Sequence, residues 1–125
     1  MGKYLCVVLG GGLGSLTRYL LGRAIVQRFP NAQFAWGTFL INVTGSFLIG
    51  LSMTLIVERL RLPHYWQLVV VVGFLGGYTT FSSFEYDAYL TARAGNQFLA
   101  LLYLVGSVVV GYAAVWLGVA VAGKR

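Results

Sequence analysis

The sequence predicts an all-α membrane protein of four transmembrane helices, the third of them broken near mid-membrane. Three observations predict it. The 125 residues are 58% hydrophobic and 10% charged, with a mean hydropathy of +0.80, outside the range of soluble domains. Apolar stretches matching the roughly 20 residues a helix needs to cross the hydrocarbon core recur four times, at about 4–27, 37–57, 66–89 and 97–121. The third stretch contains Gly73-Phe74-Leu75-Gly76-Gly77-Tyr78-Thr79-Thr80-Phe81-Ser82-Ser83-Phe84, which sets a glycine pair and four Ser or Thr hydroxyls inside an apolar segment.

Each span has its own signal. In the first, the run after Lys3 continues through Gly10-Gly11-Gly12 to Ser15, Thr17 and Arg18 without a small-residue cleavage site, so it reads as a mature span rather than a signal peptide. Arg18 is a costly charge inside that run; it either faces a bundle interior or aqueous vestibule or snorkels to the interface. On the second span Thr38, Asn42, Gly45 and Ser46 share one helical face, which either packs a helix or lines a pathway. In the third, paired glycines expose backbone and Ser and Thr compete for local carbonyls, so the helix is expected to break, where protein buries it or a wet cavity receives it. On the fourth, Tyr103, Ser107 and Gly111 recur every fourth position. Gly10 with Gly14, and Gly73 with Gly77, fit the small-xxx-small spacing of closely packed membrane helices. The connections hold Pro30 and Asn31, then Pro63, then Gly95, and none is long enough for a soluble domain. Residues 1–125 therefore form one four-span domain.

Charge and chemistry exclude several classes. The net charge of +6 is scattered over span ends, where Lys and Arg anchor at the interface, so nucleic acid is not a partner. Lys3, Arg59, Arg61, Lys124 and Arg125 fall on the side of the termini, against Arg23, Arg28 and Arg93 on the other, a split of five to three that permits insertion in both orientations. Cys6 has no disulfide partner, and one Cys with one His cannot assemble a common metal site. His64 reads as an exposed loop residue without a partner, and no nucleophile stands beside a base, so an enzyme is not expected. A proton-coupled exporter would need a carboxylate in the first span, which has Arg18 instead. A cation channel would need acidic rings, yet the only acids near a span, Glu85 and Asp87, end the third. An anion pathway fits better: Arg18 supplies positive potential, and Asn42, Thr79, Thr80, Ser82, Ser83, Tyr103 and Ser107 supply neutral donors. Phe81 and Phe84, three apart, share a face and can turn electropositive ring edges to an anion; core packing is the alternative.

The third-span run, with Gly10-Gly11-Gly12-Leu13-Gly14 and Arg18 before it and Gly37-Thr38 with Asn42 between, resembles the CrcB/Fluc fluoride channel family over the whole chain. The resemblance implies an antiparallel, dual-topology homodimer with two pores in the bacterial inner membrane, exporting fluoride passively from the cytoplasm and so conferring fluoride resistance. It implies that Phe81 and Phe84 are the pore phenylalanines, Asn42 the pore amide and Arg18 the vestibule charge, with Thr80, Ser82, Ser83, Tyr103 and Ser107 along the anion path. It also implies a structural sodium on the dimer axis, held by the main-chain carbonyls of Gly76 and Thr79. Fluoride, sodium, lipid and a second copy are the partners so implied. The chain departs from the family at Gly111 and Val115, where further fourth-span hydroxyls are common, at Asp87, often a glutamate, and at Ser82-Ser83, usually Ser-Thr. The competing readings are a non-transporting interaction subunit and a small dual-topology transporter of another substrate.

Overall fold

The computed structural model describes residues 1–123, and Lys124 and Arg125, counted above in the charge split, lie outside them. The described residues form helices and short connections, without a strand. Helix α1 is Gly2–Arg28. Helix α2, Trp36–Arg59, is α-helical to Met53 and π-helical over Thr54–Arg59. Helix α3, residues 64–78, passes from His64–Trp66 through a π-helical Gln67–Leu75 to Gly76–Tyr78. Helix α4 is Phe81–Arg93 and α5 is Gln97–Gly123. Four segments are long and apolar enough to cross a membrane: α1, α2, His64–Arg93, which joins α3 to α4, and α5.

These segments run a few residues beyond the apolar stretches that predict them, because the backbone stays helical through Arg28, Arg59 and Arg93. His64 differs from expectation: Pro63 sets an extended entry, His64 opens α3, and its ring meets Gln67 Oε1 at 3.1 Å, one turn on. Gly95 ends the α4 turn at φ +93, a conformation side-chain-bearing residues resist.

Two glycine seams hold the bundle. In the first, α1 lies against α3 so closely that a Cβ on Gly10 would meet the Val69 carbonyl, one on Gly14 the Phe74 carbonyl, and one on Gly77 the Gly11 carbonyl. In the second, α5 lies on α2, with Gly50 against the Val115 carbonyl and Gly118 against that of Phe47. Glycine suits these places because lipid offers no hydrophobic drive between helices, and close backbone approach replaces it with van der Waals contact. Gly111 belongs to the same packing, its Cβ position 3.5 Å from Ser46 Oγ.

Large apolar side chains point outward along the spans, among them Leu5, Val8, Leu16 and Leu20 on α1 and Val105, Val109, Tyr112 and Trp116 on α5, as a lipid solvent allows. The interior is correspondingly small. One cluster joins Ile41, Leu75 and Tyr78; another joins Phe84, Ala88 and Tyr103, with Phe34, Phe39 and Leu104 packed on it. Between them, about halfway along His64–Arg93, the chain leaves helical geometry.

Candidate functional site

Thr79 (φ −82, ψ 158) and Thr80 (φ −150, ψ 119) are extended between the end of α3 at Tyr78 and the start of α4 at Phe81. Their β-branched side chains favour that backbone. The Thr80 hydroxyl caps α4, accepting from the Ser83 N–H at 3.3 Å and donating to Ser83 Oγ at 3.0 Å. Thr79 closes α3: its N–H, at 3.0 Å, and its hydroxyl, at 2.9 Å, both donate to the Leu75 carbonyl.

The side chain of Asn42, from α2, pairs with the backbone of Thr80. Its Nδ2 donates to the Thr80 carbonyl and its Oδ1 accepts from the Thr80 N–H, each at 2.9 Å. In an unbroken helix the Thr80 N–H would go to the Gly76 carbonyl and the Ser83 N–H to that of Thr79. Both donors point elsewhere here.

Two cavities flank this point. The first, about 380 Å³, is lined by Asn42, Ser46, Gly76, Thr79, Thr80, Phe81, Phe84 and Ser107 among others. The second, about 620 Å³, is lined by Ser15, Arg18, Arg23, Thr38, Ser83 and Asp87 among others, and Thr80 lies on its wall too. Thr80 is thus common to both. Phe81 and Phe84 are neighbours, with ring centroids 5.8 Å apart, but their surroundings differ: Phe81 is 70% exposed and Phe84 only 7%. Phe84 packs on Tyr103 at 5.2 Å. Among the described residues, the hydroxyls of Tyr103 and Ser107 are buried without a hydrogen-bond partner. Tyr103 lies beside Thr38 and Asp87 yet forms no bond of good geometry with either. Thr38 itself donates to Asp87 Oδ2 at 2.5 Å.

The sequence-predicted residues therefore divide. Asn42, Thr80, Phe81, Phe84 and Ser107 meet at the first cavity, with Gly76 and Thr79 beside them. Arg18 and Ser83 line the second, so the charge within the first span lies on a cavity wall. Tyr103 stands behind Phe84, and Ser82 is exposed and lines neither cavity as described. Sequence reasoning missed three features: Arg23 as a second cation of the larger cavity, the bond from Thr38 to Asp87, and the double pairing of Asn42 with Thr80. Arg23 follows Arg18 by five positions, about 140° round an α-helix, so spacing alone does not place the two on one face. The other two join residues 49 and 38 positions apart and leave no local pattern.

Four apolar helical segments, with cavities whose mainly apolar walls carry a few polar side chains, define a multi-pass membrane protein. The model of the family described as CrcB-like protein, Camphor Resistance (CrcB), matches residues 5–119, and the chain belongs to that family. It is 57% identical over 122 residues to the fluoride-specific ion channel FluC of Solibacter usitatus, across 98% of this chain and 99% of the relative. It is 47% identical over 122 residues to the protein of that name from Acidobacterium capsulatum, across 98% and 97% of the two chains. The FluC of Thermus thermophilus is 46% identical over 123 residues, with coverage of 98% and 97%. With bacterial relatives of this kind, the chain is a multi-pass protein of the bacterial inner membrane.

Proposed function

We propose that the protein is a fluoride-selective channel that exports fluoride passively from the cytoplasm and performs no enzymatic reaction. Membership of the family and near full-length similarity to proteins named fluoride-specific ion channels support this reading. The observation that carries it is the first cavity, where the rings of Phe81 and Phe84 and the unpartnered hydroxyl of Ser107 come together beside Thr80. A buried hydroxyl without a partner costs about 1–3 kcal/mol, which an anion or water in the cavity would relieve. Fluoride is small and strongly hydrated, so a pore must replace its shell with placed donors. Hydroxyls, amides and electropositive ring edges serve that purpose, and the N-terminal end of α4 adds a favourable dipole. Arg18 in the second cavity attracts anions toward the path, with Ser83 on the same cavity wall as a further donor, while Ser82, exposed, and Tyr103, behind Phe84, would join the path only outside the two cavities.

In the same proposal the third span is broken near mid-membrane at Thr79 and Thr80, and the working unit is an antiparallel, dual-topology homodimer with two pores. A structural sodium lies on its axis, held by the carbonyls of Gly76 and Thr79. The residues fit such an ion: both carbonyls have lost the helical donors that would otherwise engage them, and Gly76 is exposed in the single chain. A bound cation would neutralise converging carbonyl dipoles and raise the potential for anions nearby.

The test is efflux from liposomes containing the purified chain, read by fluoride and chloride electrodes. Fluoride release without ATP or an imposed proton gradient, and negligible chloride release, is expected. Equal release of both ions would overturn the selectivity, and release of neither would leave the interaction-subunit reading in its place.

A further inference from the structure

Among the described residues, Asn42 is the one side chain that meets the extended backbone at Thr80 from both polar sides, with a donor and an acceptor at 2.9 Å each. Its Oδ1 and one of its two N–H groups are therefore committed to the main chain rather than to a ligand. We propose that Asn42 is a positioning residue: it replaces the helical partners of Thr80 and thereby keeps the Gly76 carbonyl bare and the Phe81–Phe84 pair in register between the two cavities.

If Thr80 became helical, its N–H would bond the Gly76 carbonyl and α3 would run on into α4. Engaging that N–H with Oδ1 removes the bond that would heal the helix. Binding the Thr80 carbonyl with Nδ2 fixes the orientation of the same residue's other backbone polar group. The Thr80 hydroxyl then takes the Ser83 N–H, which would otherwise return to Thr79. One amide side chain thus starts a sequence that leaves two carbonyls without their helical donors, and it does so on α2, a helix held to α5 by a glycine seam. Thr80 lines both cavities, so its placement also sets the threshold between them.

This inference rests on the proposed channel reading for its purpose, but its test does not depend on transport. In isotope-labelled wild-type dimer, couplings across hydrogen bonds from Asn42 Nδ2 to the Thr80 carbonyl and from Thr80 N to the Asn42 side-chain carbonyl should be present, with and without fluoride. Asn42→Leu, of similar volume and unable to bond, should raise Thr80 amide exchange by about tenfold or more, as loss of a hydrogen bond implies. The same variant should abolish the response of the Gly76 carbonyl resonance when sodium replaces N-methylglucamine. Absent wild-type couplings, couplings displaced by fluoride, or wild-type exchange in Asn42→Leu would each overturn the proposal. If the variant does not fold, the wild-type couplings decide. Failure of the wild type to carry fluoride would sink the channel reading and leave these signals to judge Asn42.

Discussion

Gly76 and Gly77 are adjacent in sequence and opposite in circumstance. A Cβ on Gly77 would run into the Gly11 carbonyl, whereas one on Gly76 would meet only the Val71 carbonyl, at 3.9 Å. The first belongs to the seam between α1 and α3, where a missing side chain lets two backbones touch. The second faces open space beside the extended threonines. The difference separates two uses of small residues in a membrane chain: at the seam glycine serves the fold of one copy, while at the break its smallness has no use within the chain. In the proposed dimer, the open position at Gly76 is where an ion or a second copy would come near.

Breaking the seam should have the largest effect on the chain itself. In Gly14→Val the new Cβ would occupy the place of the Phe74 carbonyl and lie 2.9 Å from the Tyr78 nitrogen, and backbone cannot swing aside as a side chain does. Overpacking a core costs about 1–3 kcal/mol, and more where backbone must shift, so little folded protein is expected on gel filtration in detergent. Gly12→Val is the matched control, since nothing lies within 4 Å of its Cβ position. Similar recovery of the two variants would show that the seam contributes no specificity.

The polar side of the comparison sharpens with Thr38→Val. That substitution keeps shape and removes the donor to Asp87 Oδ2. Hydrogen bonds to charged groups are worth about 1.5–3 kcal/mol, so a measurable drop in thermal midpoint is expected, smaller than the loss in Gly14→Val. An unchanged midpoint would mean that water in the second cavity replaces the hydroxyl fully.

How far these regions were legible in the sequence follows the range of the interactions. Span number was legible because apolar length is a local property, and helix ends were less so because Arg28, Arg59 and Arg93 remain helical past the apolar stretch. The glycine spacings at Gly10 with Gly14 and Gly73 with Gly77 announced close packing, but not that the two pairs pack on each other. Gly50 and Gly118 gave no such spacing with another glycine, although Gly118 with Ala122 would have suggested it. At the candidate site the residue types were legible and their arrangement was not. Asn42 stood on a face that either packs a helix or lines a pathway, and only the fold brings it to Thr80. Phe81 and Phe84 looked equivalent by spacing, and only packing against Tyr103 distinguishes them.

That distinction gives a smaller effect on stability with a large one on flux. Phe84→Ile removes a ring from the cluster with Ala88 and Tyr103 and should destabilise by about 1 kcal/mol, the worth of an aromatic pair. Phe81→Ile, at a 70% exposed position, should leave the midpoint within about 0.5 kcal/mol of wild type. If both ring edges face the anion, fluoride efflux should nevertheless fall by about tenfold or more in each, a barrier change of about 1.4 kcal/mol. Wild-type flux in either variant would return that ring to ordinary packing.

The smallest effect on the single chain, and the sharpest separation of the two glycines, is expected from Gly76→Val. The Cβ position has only the Val71 carbonyl near it, at ordinary van der Waals distance, and the backbone there is right-handed helical, φ −63 and ψ −36, which valine adopts. A single copy should therefore fold as wild type, with circular dichroism unchanged and a monomer midpoint within about 0.5 kcal/mol. The branched side chain would instead obstruct whatever approaches the bare carbonyls of Gly76 and Thr79. Dimer stability, followed by single-molecule pairing in bilayers of increasing dilution, should fall, and dependence of pairing on sodium should disappear. Thr79→Ser keeps the carbonyl and the helix-closing hydroxyl bond to Leu75, so it should retain both dimerisation and sodium dependence. Normal, sodium-dependent pairing in Gly76→Val would mean that neither a second copy nor an ion comes close to Gly76, and the open glycine would lose the role that its contrast with Gly77 assigns to it.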